Sequence, residues 1–181
     1  MIEITEAEET EDEHRAAEAA VVAGFVQALK GLGLMRRHEG EALGRLLETR
    51  LNEITALTAR AEAAPGRKAE AIKERLVIQV AALLETSSRL DPDRLHQEAV
   101  LLATKADIRE ELDRLVAHVA QARKLLADGG PIGRKLDFLA QEFNRESNTL
   151  CAKANDAELT NIGLELKSVV EQFREQVQNL E

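Results

Sequence analysis

The chain has 181 residues, of which 44% are hydrophobic, 31% charged and 2% aromatic, and its formal net charge at pH 7 is −9. This balance is typical of a helical bundle or coiled coil, and the single cysteine, Cys151, excludes an internal disulfide framework. The acidic charge and the lack of Trp and Tyr argue against two kinds of nucleic-acid binder, one with a uniformly basic surface and one with a platform of stacking aromatic side chains.

The acidic excess is concentrated near the N-terminus. Residues 1–13 hold seven Asp and Glu and neither Lys nor Arg, so the rest of the chain carries a formal charge of only about −2. The overall acidity is therefore compatible with a local site for a polyanion. We predict that residues 1–13 form an acidic linker, in which MIEIT is the remnant of a strand.

The sequence shows no sign of secretion or membrane insertion. Its apolar residues come in twos and threes rather than in a run of about 20, and no charged-then-apolar leader opens the chain. A bacterial-type cytoplasmic protein is the simplest interpretation, and no membrane partner is expected.

The N-terminal half of the chain predicts two helices. Apolar residues recur at helical spacing over residues 12–63, and the Pro65-Gly66 pair then turns the chain. A second helix is predicted over about residues 67–86. We therefore predict a helical hairpin region at residues 14–90.

The C-terminal half predicts a further helical domain at residues 91–181. Asp91 before Pro92 is a suitable N-cap followed by a first-turn proline, and the next helix reaches about Asp128, with Asp107 in position to cap a restart. The Gly129-Gly130-Pro131 sequence ends that helix. A polar helix and a last apolar-faced helix follow.

The predicted fold class is all-α. No alternation of strands and helices is visible, and several helices are long. A helix of about 36 residues reaches about 54 Å, more than the width of a compact small domain. We therefore expect an elongated bundle of long antiparallel helices, coiled-coil-like and oligomeric.

The polar helix after Gly130 is the strongest candidate for function. It is rich in Asn, Asp and Thr, whose short side chains compete for the backbone and are poor inside helices. Its apolar seam consists of Leu136, Leu139, Ala140, Phe143, Ser147 and Leu150. The flanks consist of Glu142, Glu146 and Thr149 on one side, and of Gln141, Arg145 and Asn148 on the other. Carboxylates four residues apart are neighbours that can share a hard divalent cation; the alternative is a hydrogen-bonded helix–helix or subunit interface.

A second candidate cluster precedes the polar helix. Asp107 and Glu111 share one helical face and can bind one ion together, whereas a helix separates His118 from Asp107 by about 16 Å and from Glu111 by about 10 Å. His118 is therefore predicted to be a general acid or base or a phosphate contact, or to have no special role, rather than to be a ligand of the same ion. The alternative is a salt-bridged surface.

Several segments together carry a family resemblance. They are MRRHEGEAL (35–43), ADIREELDRLVAH (106–118), GGPIGRKLDFLAQEFNRESNT (129–149), KANDAEL (153–159) and ELKSVVEQFREQVQN (165–179). The chain resembles the YicC/YloC family of bacterial proteins over nearly its whole length, most specifically in its C-terminal part. The resemblance implies an endoribonuclease that needs a divalent metal and assembles into homo-oligomers, with hexamers expected.

The chain departs from the family pattern in two places. Full-length members carry a domain of mixed α/β character ahead of the segment that corresponds to MIEIT, so this chain is expected to lack the family's N-terminal domain. In addition, Ala152 stands where relatives often carry a serine before the residue equivalent to Lys153. A catalytic hydroxyl is therefore not expected at that position.

The resulting prediction is a metal-dependent endoribonuclease that cleaves RNA phosphodiester bonds. Catalysis is assigned to His118, Glu142 and Glu146. Binding of Mg²⁺ or Mn²⁺ is assigned to Asp107, Glu111, Glu142 and Glu146. RNA contacts are assigned to Arg134, Lys135, Gln141, Asn144, Arg145, Asn148, Lys153 and Asn155. The alternatives are a non-catalytic helical oligomerisation core and an RNA-binding regulatory module.

Overall fold

A computed structural model describes residues 10–64, 77–78, 81 and 107–180. Four helices lie in these ranges, and none of the residues described is in a strand, which confirms the all-α prediction. They are α1 (Glu11–Ala63), α2 (Arg109–Asp128), α3 (Gly133–Lys153) and α4 (Ala157–Val177). The predicted turn at Pro65-Gly66, most of the predicted helix at 67–86 and the predicted cap at Asp91-Pro92 lie outside the described residues.

Helix α1 begins inside the predicted acidic linker because Thr10 and Glu13 cap it reciprocally. The Glu13 N–H donates to the Thr10 hydroxyl at 3.3 Å, and the Thr10 N–H donates to the Glu13 carboxylate at 2.9 Å. The backbone hydrogen bond, followed by that of the Thr10 hydroxyl, lowers the pKa of Glu13. The acidic first turn also suits the positive end of the helix dipole. The last residues of the predicted linker are therefore helical.

The chain divides into two compact units, one ending at Ala42 and the other beginning at Leu43. In the first unit the large apolar side chains are exposed: Val21, Val22, Phe25, Val26, Leu29, Leu32, Leu34 and Met35. By length and composition alone, one stretch of α1 is apolar enough to cross a membrane. The stretch contains no uninterrupted apolar run of the length that a membrane span needs, so it meets the criterion only by its mean hydropathy. Core helices and signal sequences meet the same criterion.

The second unit has one hydrophobic core, to which α2, α3, α4 and the end of α1 all contribute. Fully buried members include Leu47, Leu51, Ile54, Leu112, Leu115, Leu136, Leu150, Ile162, Leu166 and Phe173. Every residue of the seam predicted on α3 is buried, including Ser147, whose hydroxyl donates to the Phe143 carbonyl at 2.7 Å. The 3.6-residue period thus identified the buried face of α3.

The turns between the last three helices place them antiparallel. Gly129 and Gly130 have φ of +68° and +79°, a conformation that L side chains rarely adopt, so these glycines permit the turn from α2 to α3. Asp156 caps α4 by accepting a hydrogen bond from the Leu159 N–H at 2.8 Å. At the same end, Gly163 allows α4 to approach α3 closely beside Cys151.

Candidate functional site

The contact between α2 and α3 brings His118, Glu142 and Glu146 together. One ligand atom from each residue lies within 4.8 Å of the other two. Glu146 is only 2% exposed, whereas Glu142 and His118 are half-buried. Glu142 and Glu146 are one turn apart on α3. The two helices run in opposite directions, and their register places His118 of α2 opposite these carboxylates. These are the three residues to which the sequence analysis assigned catalysis.

Asp107 and Glu111 belong to no group of three or more potential metal ligands among the described residues. Asp107 instead lies just ahead of α2 and accepts a hydrogen bond from the Arg109 N–H at 2.9 Å. The N-cap residue of α2 is Ile108, so the predicted cap stands one residue too early. Glu111 is buried and accepts a hydrogen bond from the Lys153 ammonium at 2.8 Å, and this ammonium also donates to the Asp107 carbonyl at 3.0 Å. The antiparallel pairing therefore places both acids at the end of α3, beside Lys153.

Arg114 orients the buried carboxylate of the group. Its guanidinium donates to one oxygen of Glu146 at 3.2 Å and also contacts Glu110, one turn earlier on α2. The hydrogen bond to Glu146, together with the negative charge of Glu110, raises the pKa of Arg114. Because one Glu146 oxygen is held in this way, the carboxylate has a fixed orientation and a compensated charge.

The His118 ring has a buried nitrogen with no partner in the part of the chain that the structure describes. This atom is Nε2. The ring packs edge-to-face on Phe143 with centroids 6.0 Å apart, and Phe143 packs in the same way on Phe173 at 5.7 Å. A buried ring nitrogen without a hydrogen bond is unfavourable unless a ligand or water satisfies it.

The outward face of α3 forms an open groove with one residue of α4. The groove has a volume of about 640 Å³ and is lined by Gln141, Asn144, Arg145, Asn148, Thr149 and Arg174. Four of these side chains are predicted RNA contacts. Thr149 lines this groove rather than standing with Glu142 as the sequence analysis grouped it. Sequence reasoning missed Arg174, because the spacing within α3 carries no information about which α4 residue lies beside it.

Two amide side chains of the groove donate hydrogen bonds to side chains one turn earlier on α3. Asn148 Nδ2 donates to Asn144 Oδ1 at 2.9 Å, and Gln141 Nε2 donates to Asp137 Oδ2 at 2.9 Å. These pairs, four residues apart, explain how α3 tolerates residues that otherwise compete for its backbone. They also fix which way the amides point.

The other predicted RNA contacts have separate surroundings. Arg134 and Lys135 are exposed in the first turn of α3, and Asn155 is half-buried in the turn before α4. Lys153 is engaged with Glu111. The predicted contacts therefore do not form a single cluster, and those in the groove are the ones that the structure brings together.

Comparison with known proteins identifies the family. Residues 41–181 match the family model described as "Endoribonuclease YicC-like, C-terminal". The chain is 41% identical over 161 residues to a "Probable endoribonuclease YicC" of Haemophilus influenzae, an alignment that covers 89% of this chain and 55% of that relative. It is 34% identical over 179 residues to a protein of the same name from Clostridioides difficile, covering 99% of this chain and 61% of the relative.

These matches confirm the predicted resemblance. The chain spans less than two thirds of the length of either relative, and both relatives are named as probable endoribonucleases. The family model covers most of the chain, including all of α2, α3 and α4 and the end of α1. The chain therefore belongs to the endoribonuclease YicC-like family, of which it contains the C-terminal domain.

Proposed function

We propose that this chain provides the metal site of a metal-dependent endoribonuclease, with His118, Glu142 and Glu146 as ligands of Mg²⁺ or Mn²⁺. The observation that carries the proposal is the mutual approach, within 4.8 Å, of one ligand atom from each of the three residues. The names of the two relatives support endoribonuclease activity at the level of the family. Asp107 and Glu111 are not needed as ligands in this proposal.

The donor set suits a divalent cation. Two carboxylates supply the oxygen ligands that Mg²⁺ and Mn²⁺ prefer, and the imidazole adds a nitrogen that favours a transition metal. Accordingly, of the two predicted ions, Mn²⁺ is expected to bind more tightly. A bound divalent ion would supply charge stabilisation for a phosphodiester oxygen and a more acidic water.

The side chains around the site have distinct tasks in this proposal. Arg114 holds the Glu146 carboxylate in one orientation before a ligand arrives. Glu142 has no hydrogen bond or ion pair among the described residues, so its carboxylate needs no rearrangement to coordinate an ion or accept a proton. The general acid or base role predicted for His118 is an alternative to ligation by its Nε2, because one ring nitrogen cannot do both at once.

RNA is the proposed substrate. The groove on α3 and the exposed cations Arg134 and Lys135 offer hydrogen-bond donors for its phosphates. A homo-oligomer, and the N-terminal domain that the family resemblance implies, are the proposed partners of the whole protein.

The proposal is tested with Glu142→Gln, which removes a ligand without breaking an ion pair. Binding of Mn²⁺ is measured by isothermal titration calorimetry, and cleavage of labelled single-stranded RNA is measured with Mn²⁺ and with a chelator. Affinity for Mn²⁺ should fall by at least about tenfold. Substituting a residue that merely supports a metal ligand already costs about that much, so loss of a ligand itself should cost no less. Asp113→Asn, an exposed carboxylate on α2, is the matched control and should leave both readouts unchanged.

The same measurements separate the alternatives. Unchanged Mn²⁺ affinity in both Glu142→Gln and His118→Ala would refute the metal site. If cleavage by a version with the N-terminal domain persists while assembly fails, the polar helix serves as a subunit interface. Salt-sensitive RNA binding without cleavage stimulated by metal would favour the RNA-binding regulatory module.

A further inference from the structure

Phe138 is an exposed aromatic side chain on the most polar helix of the chain. It is 58% exposed, whereas Phe143 and Phe173 are fully buried in the core. Burying a Phe side chain is favourable, so its exposure on α3 forgoes that stabilisation. A ligand that covered the ring would recover it.

The register of α3 places Phe138 beside the candidate metal site and the groove. It precedes Glu142 by four residues and Gln141 by three, so the three side chains are neighbours on the helix surface. Arg145 follows two turns after Phe138 on nearly the same face. One face of α3 therefore carries an aromatic ring, an amide and a guanidinium in succession, with a predicted metal ligand at its edge.

The polar groups of this face have unused hydrogen-bonding capacity. In the described part of the chain, Gln141 and Asn148 each commit one amide N–H to a neighbour, and no donor contacts their side-chain carbonyl oxygens. The guanidinium of Arg145 has no hydrogen bond or ion pair there. Arg174 contributes a second guanidinium to the groove and lies 3.9 Å from the Glu171 carboxylate on α4. The acidic neighbours of this face are therefore Glu142, Glu171 beside Arg174, and Asp137, which is bonded to Gln141.

These components match the chemistry of a single-stranded nucleic acid better than that of a protein partner. A nucleobase stacks on an exposed aromatic face, its edge exchanges hydrogen bonds with amides, and its phosphates pair with guanidinium groups. A purely apolar partner would leave the Arg145 guanidinium and the amide oxygens desolvated without partners, which is unfavourable.

We propose that Phe138 stacks on a base of single-stranded RNA, and that the strand continues over the groove toward Arg145 and Arg174. The stacked base then lies one helical turn from Glu142, so that a phosphate adjoining it comes next to the candidate metal site. The identity of the strand as substrate rests on the proposed function, but the stacking contact itself does not require metal.

The test uses the 181-residue chain and two fluorescein-labelled RNA probes of equal length, an oligoadenylate and the same strand without bases. Binding is measured by fluorescence anisotropy in the presence of a chelator. Phe138→Ala should weaken oligoadenylate binding about 5- to 140-fold, because stacking contributes about 1–3 kcal/mol per base and each 1.4 kcal/mol is tenfold. Its affinity for the abasic strand should change by less than about twofold, since phosphate contacts remain.

Two further variants control for the aromatic ring and for exposure. Phe138→Tyr keeps a stacking ring and should retain the affinity for oligoadenylate. Leu164→Ala removes an exposed apolar side chain of similar accessibility on α4, 56% exposed, and should bind like the parent chain. Far-UV circular dichroism checks that each variant is folded.

Three results would overturn the stacking contact. They are unchanged oligoadenylate binding by Phe138→Ala, an equal loss for the abasic strand, and a change of oligomeric state with normal RNA binding, which would identify Phe138 as a subunit contact. The proposed function is refuted by a different result. If no variant shows Mn²⁺-stimulated cleavage, the endoribonuclease proposal fails, whereas a loss of binding that depends on the bases still supports the stacking contact.

Discussion

The close approach of α3 and α4 at Gly163 gives a stability prediction that can be worked from the structure. A Cβ atom added at Gly163 would lie 2.5 Å from Cys151 Sγ and 3.1 Å from Leu150 Cδ2. The first separation is shorter than Cβ atoms adopt, and the second is tight. Overpacking of this kind costs typically about 1–3 kcal/mol, so Gly163→Ala forces α3 and α4 apart or the thiol out of its rotamer.

A second glycine supplies the matched control. Gly44 lies in α1 within the same compact unit, and a Cβ added there would meet nothing within 4 Å. Replacing either glycine by alanine gains up to about 1 kcal/mol of helix propensity. Gly44→Ala should therefore be stabilising, and Gly163→Ala should be less stable than it by about 1–3 kcal/mol, the steric component alone.

The assay is urea unfolding followed by far-UV circular dichroism at one protein concentration, because any assembly would shift the midpoint. The double variant Cys151→Ala/Gly163→Ala removes the sulfur that causes the shortest contact. It should recover part of the loss, giving a favourable coupling free energy of about 0.5–3 kcal/mol. Equal stability of Gly163→Ala and Gly44→Ala, or the absence of any coupling with Cys151→Ala, would refute the close approach of the two helices.

Three further predictions concern charged groups. Arg114→Met leaves the buried Glu146 without its guanidinium and should lower the free energy of unfolding, by less than the loss of a fully buried pair because Arg114 is 45% exposed. Urea unfolding measures this loss. Lys153→Met should be destabilising by about 1–3 kcal/mol, because Glu111 is 7% exposed and loses its ammonium partner. A milder effect in Lys153→Arg than in Lys153→Met would show that charge matters there. Glu13 has a lowered pKa, so its contribution to helix α1 is present above its ordinary pKa of 4.5 and is lost as the pH falls below that value; Glu13→Gln should remove this part of the acid-dependent loss of helical circular dichroism.

Much of the fold followed from local patterns in the sequence. The apolar seam of α3 has a 3.6-residue period that depends only on the helix itself, and it identified the buried face of that helix correctly. The turn at Gly129 and Gly130 was equally local, since it depends on a residue type with a known backbone preference. The cap predicted at Asp107 was one residue too early, because Ile108 is the N-cap residue of α2.

The site was harder to predict because it depends on the register between helices. From the sequence, Asp107 and Glu111 were as eligible as His118 to face Glu142 and Glu146, since all three were predicted to lie on one helix. The observed register pairs Glu111 with Lys153 and leaves His118 opposite the two carboxylates. A shift of about two turns would bring Glu111 opposite these carboxylates instead, and nothing within a single helix specifies the register. The ion site predicted at Asp107 and Glu111 thus stays a prediction. Among the described residues, no cluster of potential metal ligands includes either of them.

The row of rings from Phe173 through Phe143 to His118 limits the orientations that the imidazole ring can adopt. Each ring meets the next edge-on at nearly 90°, so Phe143, itself packed on Phe173, restricts the orientation of the His118 ring. An imidazole that shuttles protons benefits from turning between donor and acceptor positions, whereas a ligand of an ion benefits from a fixed orientation. The packing therefore suits the ligand role proposed for His118. It also connects the imidazole to α4, where Arg174 follows Phe173 directly in the chain and lines the groove on α3.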